Sequence, residues 1–516
     1  MTALLADIPL EPAGVPRGRA MVERAQWASL AFATYDIETV RRIAQAAAEA
    51  GERVAAELGI AAVEETGFGV AEHKKLKNVA CSVGIWNTYR DHDYVSPVLH
   101  PDRGIVEVPR PAGVVIALTP STNPVATVFF KIMLALLTRN AIIICPHPFA
   151  KRVCTEAAHA MAEAAVAAGA PDGCIQVVEE PSIPLVNALM TDARVDVIVA
   201  TGGTAMVRAA YRSGNPAIGV GPGNVPVMVD ATADIAAAAH RIVASKAFDN
   251  SILCTNESVL IVEEKAAAGL EAALRREGAY VLAGEEIDAV KGVMFDGTSF
   301  DTAWVGKSAK QIAEAAGIKV PANTRILVAP FPLVVPEEML AHEKLCPVLG
   351  MVVVPSAARG IDAARAVLRI SGAGHSAAIH SEDAVTIMAF ASAVPVLRVA
   401  VNVGNSLGSA GIETHLAPTM TIGTGFFGRS SVGENLEPKH LINMTRIAYP
   451  SHGSSAMPDF SALQPWHEPA GAVPPYPIAS NMEGAPSLVR ADDPQDELRD
   501  EIRRMVVEEL REILRG

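Results

Sequence analysis

The sequence predicts an α/β protein built from more than one packed unit, and three observations carry that expectation. The chain has 516 residues, half of them apolar and 19% charged, so it exceeds one ordinary core and has the apolar mass to bury several. From Pro111 onward, short apolar runs alternate with longer amphipathic ones, the order that builds a parallel sheet. The one stretch with the look of a membrane span, KIMLALLTRNAIIICP, is cut by Thr138, Arg139 and Asn140.

The N-terminus, MTALLADIPLEPAG, has no basic segment before its short apolar stretch, so neither secretion nor membrane insertion is expected. Over 38–62 the apolar residues fall at helical spacing, and Gly51 is expected to divide two helices. AGVVIALTP reads as a buried strand, PVATVFFKIMLALLT as a helix, NAIIICPHP as a strand and RVCTEAAHAMAEAAVAAG as a helix ending at Gly169. CIQVVEE, a helix around IPLVNALMTD, the strand DVIVATGG and the helix TAMVRAAYRSG extend the alternation to Gly214, giving an open layer able to bind a nucleotide at its strand C-termini. After Cys254 a second run follows, SVLIVEE, AAAGLEAALRREG, RILVAPF, GMVVVP and GIDAARAVLRIS, ending near the glycine-rich segment 404–428.

Residues 453–490 are rich in Pro, Ser, Ala and Gly and carry no periodicity, so they read as an extended linker. Beyond them Leu498, Ile502, Met505, Val506, Leu510 and Ile513 share one stripe of an amphipathic helix. A net charge of -14 without a dense Lys/Arg block excludes a general attraction to nucleic acid. The six cysteines form neither CxxC pairs nor His/Cys clusters, so no metal site and no disulfide framework is expected, and a reducing cytoplasm is the simplest setting.

Cys254 stands in FDNSILCTNES, ringed by Asn250, Thr255 and Asn256 rather than by core side chains. A small buried hydrophobe and an accessible nucleophile both fit that setting. PSTNP follows the strand VVIAL and brackets Asn123 with prolines, which suits a turn asparagine or an amide held rigidly over a reacting oxygen. DVIVATGG ends in Gly202 and Gly203, and Thr204 is placed to cap a helix whose free N–H groups face an anion. GTGFFG matches G-x-G-x-x-G, but RSSVGEN after it reads as loop, so these glycines serve a turn. HEKLCP offers Glu343 and GAGHSAAIH offers His375, each a loop residue when taken alone.

Together, PSTNP, RNAIIICPHP, ATGGTAMV, GVGPGNVP, FDNSILC, HEKLCPVLG, GAGHSAAIH and GTGFFGRSSVGENL, in this order over roughly 20–450, resemble the CoA-acylating branch of the aldehyde dehydrogenase superfamily. That branch includes the aldehyde half of bifunctional aldehyde-alcohol dehydrogenases and the aldehyde dehydrogenases of bacterial microcompartments. The resemblance implies a Rossmann-like NAD-binding domain at 20–92 and 111–245, an α/β catalytic domain at 246–427, and small β oligomerisation elements at 93–110 and 428–452 of a homodimer or homotetramer. It makes Cys254 the nucleophile and gives the oxyanion to the Asn123 amide and the Cys254 N–H. It sets Glu343 on the nicotinamide ribose and Gly202, Gly203 and Thr204 at the pyrophosphate, with Thr119, Pro120, His147 and Gly221 completing the cofactor site. His375 is left between aiding thiol deprotonation and a structural role.

NAD and coenzyme A are the implied cofactors, and a short aliphatic aldehyde such as acetaldehyde or propionaldehyde is the implied substrate. Two departures from hydrolytic relatives bear on the product. Those carry an E-L-G-G-K type segment whose glutamate activates water, whereas this chain has no carboxylate from Gly219 through Pro226. They also carry a lysine where this chain has His147. The terminal helix resembles encapsulation peptides, implying cargo of a bacterial microcompartment within the cytoplasm. A hydrolytic aldehyde dehydrogenase and an idle scaffold are the rival readings, and the intact set Cys254, Asn123 and Glu343 speaks against the second.

Overall fold

The computed structural model describes residue 12 and residues 14–469, except 298, 453–455 and 462. Two parallel sheets dominate, and each arises where β-branched apolar runs alternate with helices. The first orders its strands Ile175–Val177, Ala141–Pro146, Val114–Thr119, Val197–Ala200 and Ala217–Gly219. All residues of Val114–Thr119 and Ala141–Pro146 are buried, as expected for central strands covered on both faces. Helix Pro124–Leu137 is buried on every side, in keeping with its apolar circumference.

The chain runs outward from Val114–Thr119 in one direction and then returns to add Val197–Ala200 on the other side. The strand order therefore reverses between these two strands. A crevice opens beyond their C-terminal ends at such a reversal, and ligands of open α/β sheets bind there.

The second sheet orders Ala279–Val281, Ile326–Pro330, Val348–Val354, Glu257–Glu263, Val225–Val229, Ala377–His380 and Val399–Val401, all parallel. Val225–Val229 pairs with Glu257–Glu263, and helix Ile235–Ala247 buries Ile242 and Val243 in the same core. The boundary at 245 expected from the sequence thus falls one strand and one helix too late. Alternation of elements reveals their order, but not which sheet a strand joins. A third sheet, antiparallel, joins Val98–His100, Ile105–Pro111 and Ile442–Ala448, the last exposed along most of its length.

Gly51 does not divide two helices. Ile37–Thr66 is one helix of 30 residues, and a Cβ at Gly51 would stand 2.8 Å from Cβ of Ser82. The glycine lets neighbouring elements pack closely instead of ending one. Among the described residues no helix is long and apolar enough to cross a membrane.

The stretch read as a linker also departs from expectation where it is described. Arg139, buried and at φ 59°, donates to the carbonyls of Ala33 (2.7 Å), Tyr35 (3.2 Å) and Pro109 (3.1 Å). Its guanidinium lies 4.5 Å from the ring of Trp466, whose Nε1 donates to the Val95 carbonyl at 2.8 Å. Among the described residues Arg139 has no carboxylate partner, so an aromatic face and carbonyl dipoles hold its charge. Residues 470–516, with the predicted amphipathic helix, lie outside the described residues. Trp466→Ala is expected to lower the thermal midpoint by about 2–4 °C, through loss of the ring stack and the Nε1 bond. Calorimetry of the full chain checks this, and an unchanged midpoint would show that the segment does not clasp the fold.

Candidate active site

The polar stretch before Cys254 folds into a left-handed turn. Asp249, Asn250 and Ser251 have φ of 49°, 51° and 61°, a conformation costing L residues on the order of 1–3 kcal/mol each. Specific partners offset it. Asp249 accepts from the Val70 N–H at 2.6 Å and from Lys74 Nζ at 3.3 Å, and Lys77 Nζ also donates to it. Its own N–H donates to Nδ1 of His73 at 2.8 Å, and the Asn250 amide donates to the Gly306 carbonyl at 2.9 Å. Phe248 stacks on His73 with centroids 4.6 Å apart.

The turn presents Cys254 half-buried, while the other five cysteines are fully buried. Cys254 lines a cavity of about 530 Å³ that occupies the crevice at the strand reversal. Its walls bring together Thr119, Pro120, Asn123 and His147 from the ends of the first two strands, Gly202, Gly203 and Thr204 from the fourth, and Gly221 and Glu343 from loops of the second sheet. Every residue expected at the site is there except His375.

His375 is buried outside the cavity, with Nδ1 3.0 Å from Ser376 Oγ and Nε2 without a partner among the described residues. Burial and the neighbouring Arg398 charge push its pKa down to about 3, so its imidazole is neutral. His147 sits at the rim, accepting from the Phe149 N–H through Nδ1 at 3.2 Å. Thr204 is not the cap: Gly203 holds that position and Thr204 is the first residue of the nine-residue helix Thr204–Arg212. GTGFFG forms a short turn at Phe426–Gly428 with no long helix after it, and Thr424 lies against Gly221.

The segment below Cys254 leaves no room for a side chain at Gly223. A Cβ at Gly223 would lie 2.1 Å from the Cys254 carbonyl oxygen and 3.0 Å from Oε1 of Glu343, so a side chain at this point is excluded. Asn224 turns away, donating to the carbonyls of Ala341 and Val367. Burial pushes the Cys254 thiol up to about 12, with the Glu343 charge adding to the rise and Arg398 opposing it. Burial likewise lifts Glu343 to about 8, against the Gly223 N–H and the charges of Lys246 and Lys344.

The cavity suits a dinucleotide. No atom lies within 4 Å of where a Cβ would stand on Gly202 or Gly203, which leaves backbone open to close approach by a phosphate. Helix Thr204–Arg212 has no side-chain cap, so N–H groups of its first turn are free for an anion.

Residues 12–415 match the aldehyde dehydrogenase family. The chain belongs to that family. It is 38% identical over 435 residues to the bifunctional aldehyde-alcohol dehydrogenase of Escherichia coli, covering 83% of this chain and 49% of that protein. The chain thus spans about half the length of the bifunctional relatives it matches. An acetylating aldehyde dehydrogenase structure from Geobacillus thermoglucosidasius superposes with a TM-score of 0.84 at 36% identity, covering 86% of this chain and 98% of the other. A propionaldehyde dehydrogenase from Rhodopseudomonas palustris, solved with bound CoA and an acylated cysteine, has a TM-score of 0.76 at 28% identity over 84% and 97% of the two chains.

Sequence reasoning about this family member missed Lys74, Lys77 and Asp249. AEHKKLKNV reads as a polar helix, and the signal within it is the i,i+3 spacing of Lys74 and Lys77, which puts both on one face. Their partner Asp249 is far away in sequence, so only the fold reveals that this face is buried.

Iodoacetamide is expected to alkylate Cys254 alone in the native chain, at a rate that keeps rising past pH 9 because the thiol pKa is raised. Peptide mapping after labelling from pH 7 to 10 checks both points, and a plateau near pH 7 would contradict the neutral resting thiol.

Proposed function

We propose that the chain is an NAD-dependent CoA-acylating aldehyde dehydrogenase that converts a short-chain aldehyde to its acyl-CoA. The observation that carries the reading is the segment from Gly219 to Pro226 beside Cys254, which offers no carboxylate of its own and at Gly223 no room for a side chain. A positioned base contributes about 10²–10⁴-fold, so an acyl group on Cys254 would survive against water long enough for a thiol to take it. Glu343, lifted to about 8, carries its proton in most molecules at pH 7 and is a poor standing base for water. The acetylating name of the Geobacillus enzyme and the CoA and acylated cysteine of the Rhodopseudomonas enzyme support the same reading.

In this mechanism the Cys254 thiol loses its proton and Sγ bonds to the aldehyde carbon, giving a thiohemiacetal whose oxyanion is held by the Asn123 amide and the Cys254 N–H. When bound, NAD supplies the acceptor for the hydride that this carbon then loses. Glu343 orients the nicotinamide ribose, and Gly202, Gly203 and Thr204 hold the pyrophosphate. The resulting Cys254 thioester is attacked by the CoA thiolate, the C–Sγ bond breaks, acyl-CoA leaves and Cys254 regains a proton. Acetaldehyde and propionaldehyde are the proposed substrates, and the exposed third sheet is the proposed oligomer contact.

With aldehyde and NAD but no CoA, the wild type is expected to release one NADH per Cys254 and then stall, and CoA should restore steady turnover. Cys254→Ala should lose both phases. Stopped-flow absorbance at the NADH band reads the burst; steady acid formation without CoA, at the rate seen with it, would favour a hydrolytic enzyme.

The terminal stripe of Leu498, Ile502, Met505, Val506 and Leu510 supports a second element of the proposal, docking of the chain as microcompartment cargo. A lone helix of about 20 residues is marginal in water and gains stability by burying its apolar face on a partner. Deleting 491–516 is expected to leave kcat within about twofold while abolishing recruitment of a fluorescent fusion to shells. Loss of activity, or a fusion that stays diffuse, would assign the helix to the core instead.

A further inference from the structure

We propose that Lys77 is the positioning residue of the oxyanion site: its ammonium fixes the Asn123 amide with Nδ2 toward the cavity, while Lys74 and Lys77 together leave an excess positive charge behind it. The inference rests on the acylating reading of the cavity given above.

Asn123 occupies the N-cap position of Pro124–Leu137, where asparagine ordinarily bonds the N–H groups of the first turn. Its side chain makes no capping bond. Instead Oδ1 accepts from Lys77 Nζ, in a buried contact. A lysine ammonium has donors and no acceptor, so the end of the amide facing it must be the oxygen. Nδ2 is thereby committed to the other side, where its one partner among the described residues is Thr122 Oγ1 at 3.4 Å. That bond takes one of the two N–H groups, and the other remains available to an oxyanion in the cavity that Asn123 lines.

The same ammonium donates to Asp249, which anchors the left-handed turn delivering Cys254. One buried atom thus ties the oxyanion donor to the turn, which Asp249 also anchors through the Val70 N–H, Lys74 and His73 and so keeps when Lys77 is replaced. Lys74 donates to Asp249 and to the Thr122 carbonyl at 3.2 Å, so two ammonium groups face one carboxylate. His73 adds no charge, since its Nδ1 accepts from the Asp249 N–H and burial lowers its pKa. The excess charge pulls on Oδ1, and an amide polarised at its oxygen donates more strongly through its N–H groups. Lys74 remains charged at pH 7, because burial lowers it only to about 8.

The test is a cycle of Lys77→Met, Asn123→Ala and the double variant in the full chain, assayed with propionaldehyde, NAD and CoA. Each single variant is expected to lose about 10²-fold in kcat with KM for aldehyde little changed. The double variant should lose no more than about threefold beyond Asn123→Ala, because Lys77 acts through Asn123. Lys77→Gln keeps a donor without the charge and should sit between wild type and Lys77→Met. If Lys77→Met does not fold, as judged by its melting profile, the cycle is run with Lys77→Gln and decided the same way. Losses that multiply, or a wild-type kcat in the folded Lys77 variant, overturn the role of Lys77. A wild type without CoA-dependent NADH formation instead overturns the proposed function on which it rests.

Discussion

The site depends on a buried cluster of unequal charge, in which Lys74 and Lys77 close on Asp249 between two α/β layers. Burying ions is costly, and removing one partner of a buried pair typically costs about 3–5 kcal/mol because the other is left uncompensated. Such a cluster is weak evidence for stability and strong evidence for a geometry that must be kept. What it keeps is a backbone turn with three successive left-handed residues, none of them glycine. Asp249 could not be exchanged for glycine without loss of the carboxylate that takes the Val70 N–H and both ammonium groups. Side-chain chemistry and backbone conformation are thus demanded at one position.

The same economy of space governs the wall opposite. Gly223 lies so close to the Cys254 carbonyl that no Cβ fits, and the cavity floor there is bare backbone. The restriction has a chemical consequence, since Gly223 can carry no general base, and the Glu343 carboxyl beside it is lifted to about 8 and so mostly protonated at pH 7. Burial acts in concert with it. Cys254 and Glu343 are both pushed toward their neutral forms. In the proposed mechanism proton loss from the thiol would then accompany attack, and the Asn123 amide would stabilise the charge where it arrives rather than where it starts.

Much of this was legible in the sequence, for reasons that can be named. Runs such as VVIALT and AIIICP have no polar alternation because both faces of a central parallel strand are covered, and the structure buries all of Val114–Thr119 and Ala141–Pro146. Glycines signalled close approach at Gly202 and Gly203. At Gly51 the same signal was misread, because a glycine that admits a neighbouring helix looks identical in one dimension to one that ends a helix. Trp466 and His467 were hidden in a Pro-rich stretch without periodicity, since a clasp of two or three residues needs none. The boundary at 245 came from the resemblance, and the alternation, which ended its first run at Gly214, does not say which sheet Val225–Val229 joins.

Lys74 and Lys77 were the deepest omission, and the physical reason is general. Lysine on a helix is read as solvent-facing because an unpaired ammonium is too costly to bury. That inference fails when a carboxylate distant in sequence is brought to meet it, so a buried lysine pair is visible only once the tertiary fold is known. The cost of burial then argues for purpose. A structural tie between two layers could be made by apolar side chains of similar length, often with equal or greater stability, and apolar side chains would not orient an amide. Here the ammonium of Lys77 bonds the one cavity asparagine through its oxygen, which an apolar replacement could not do. The residue type is therefore better explained by what it does to Asn123 than by what it adds to the fold.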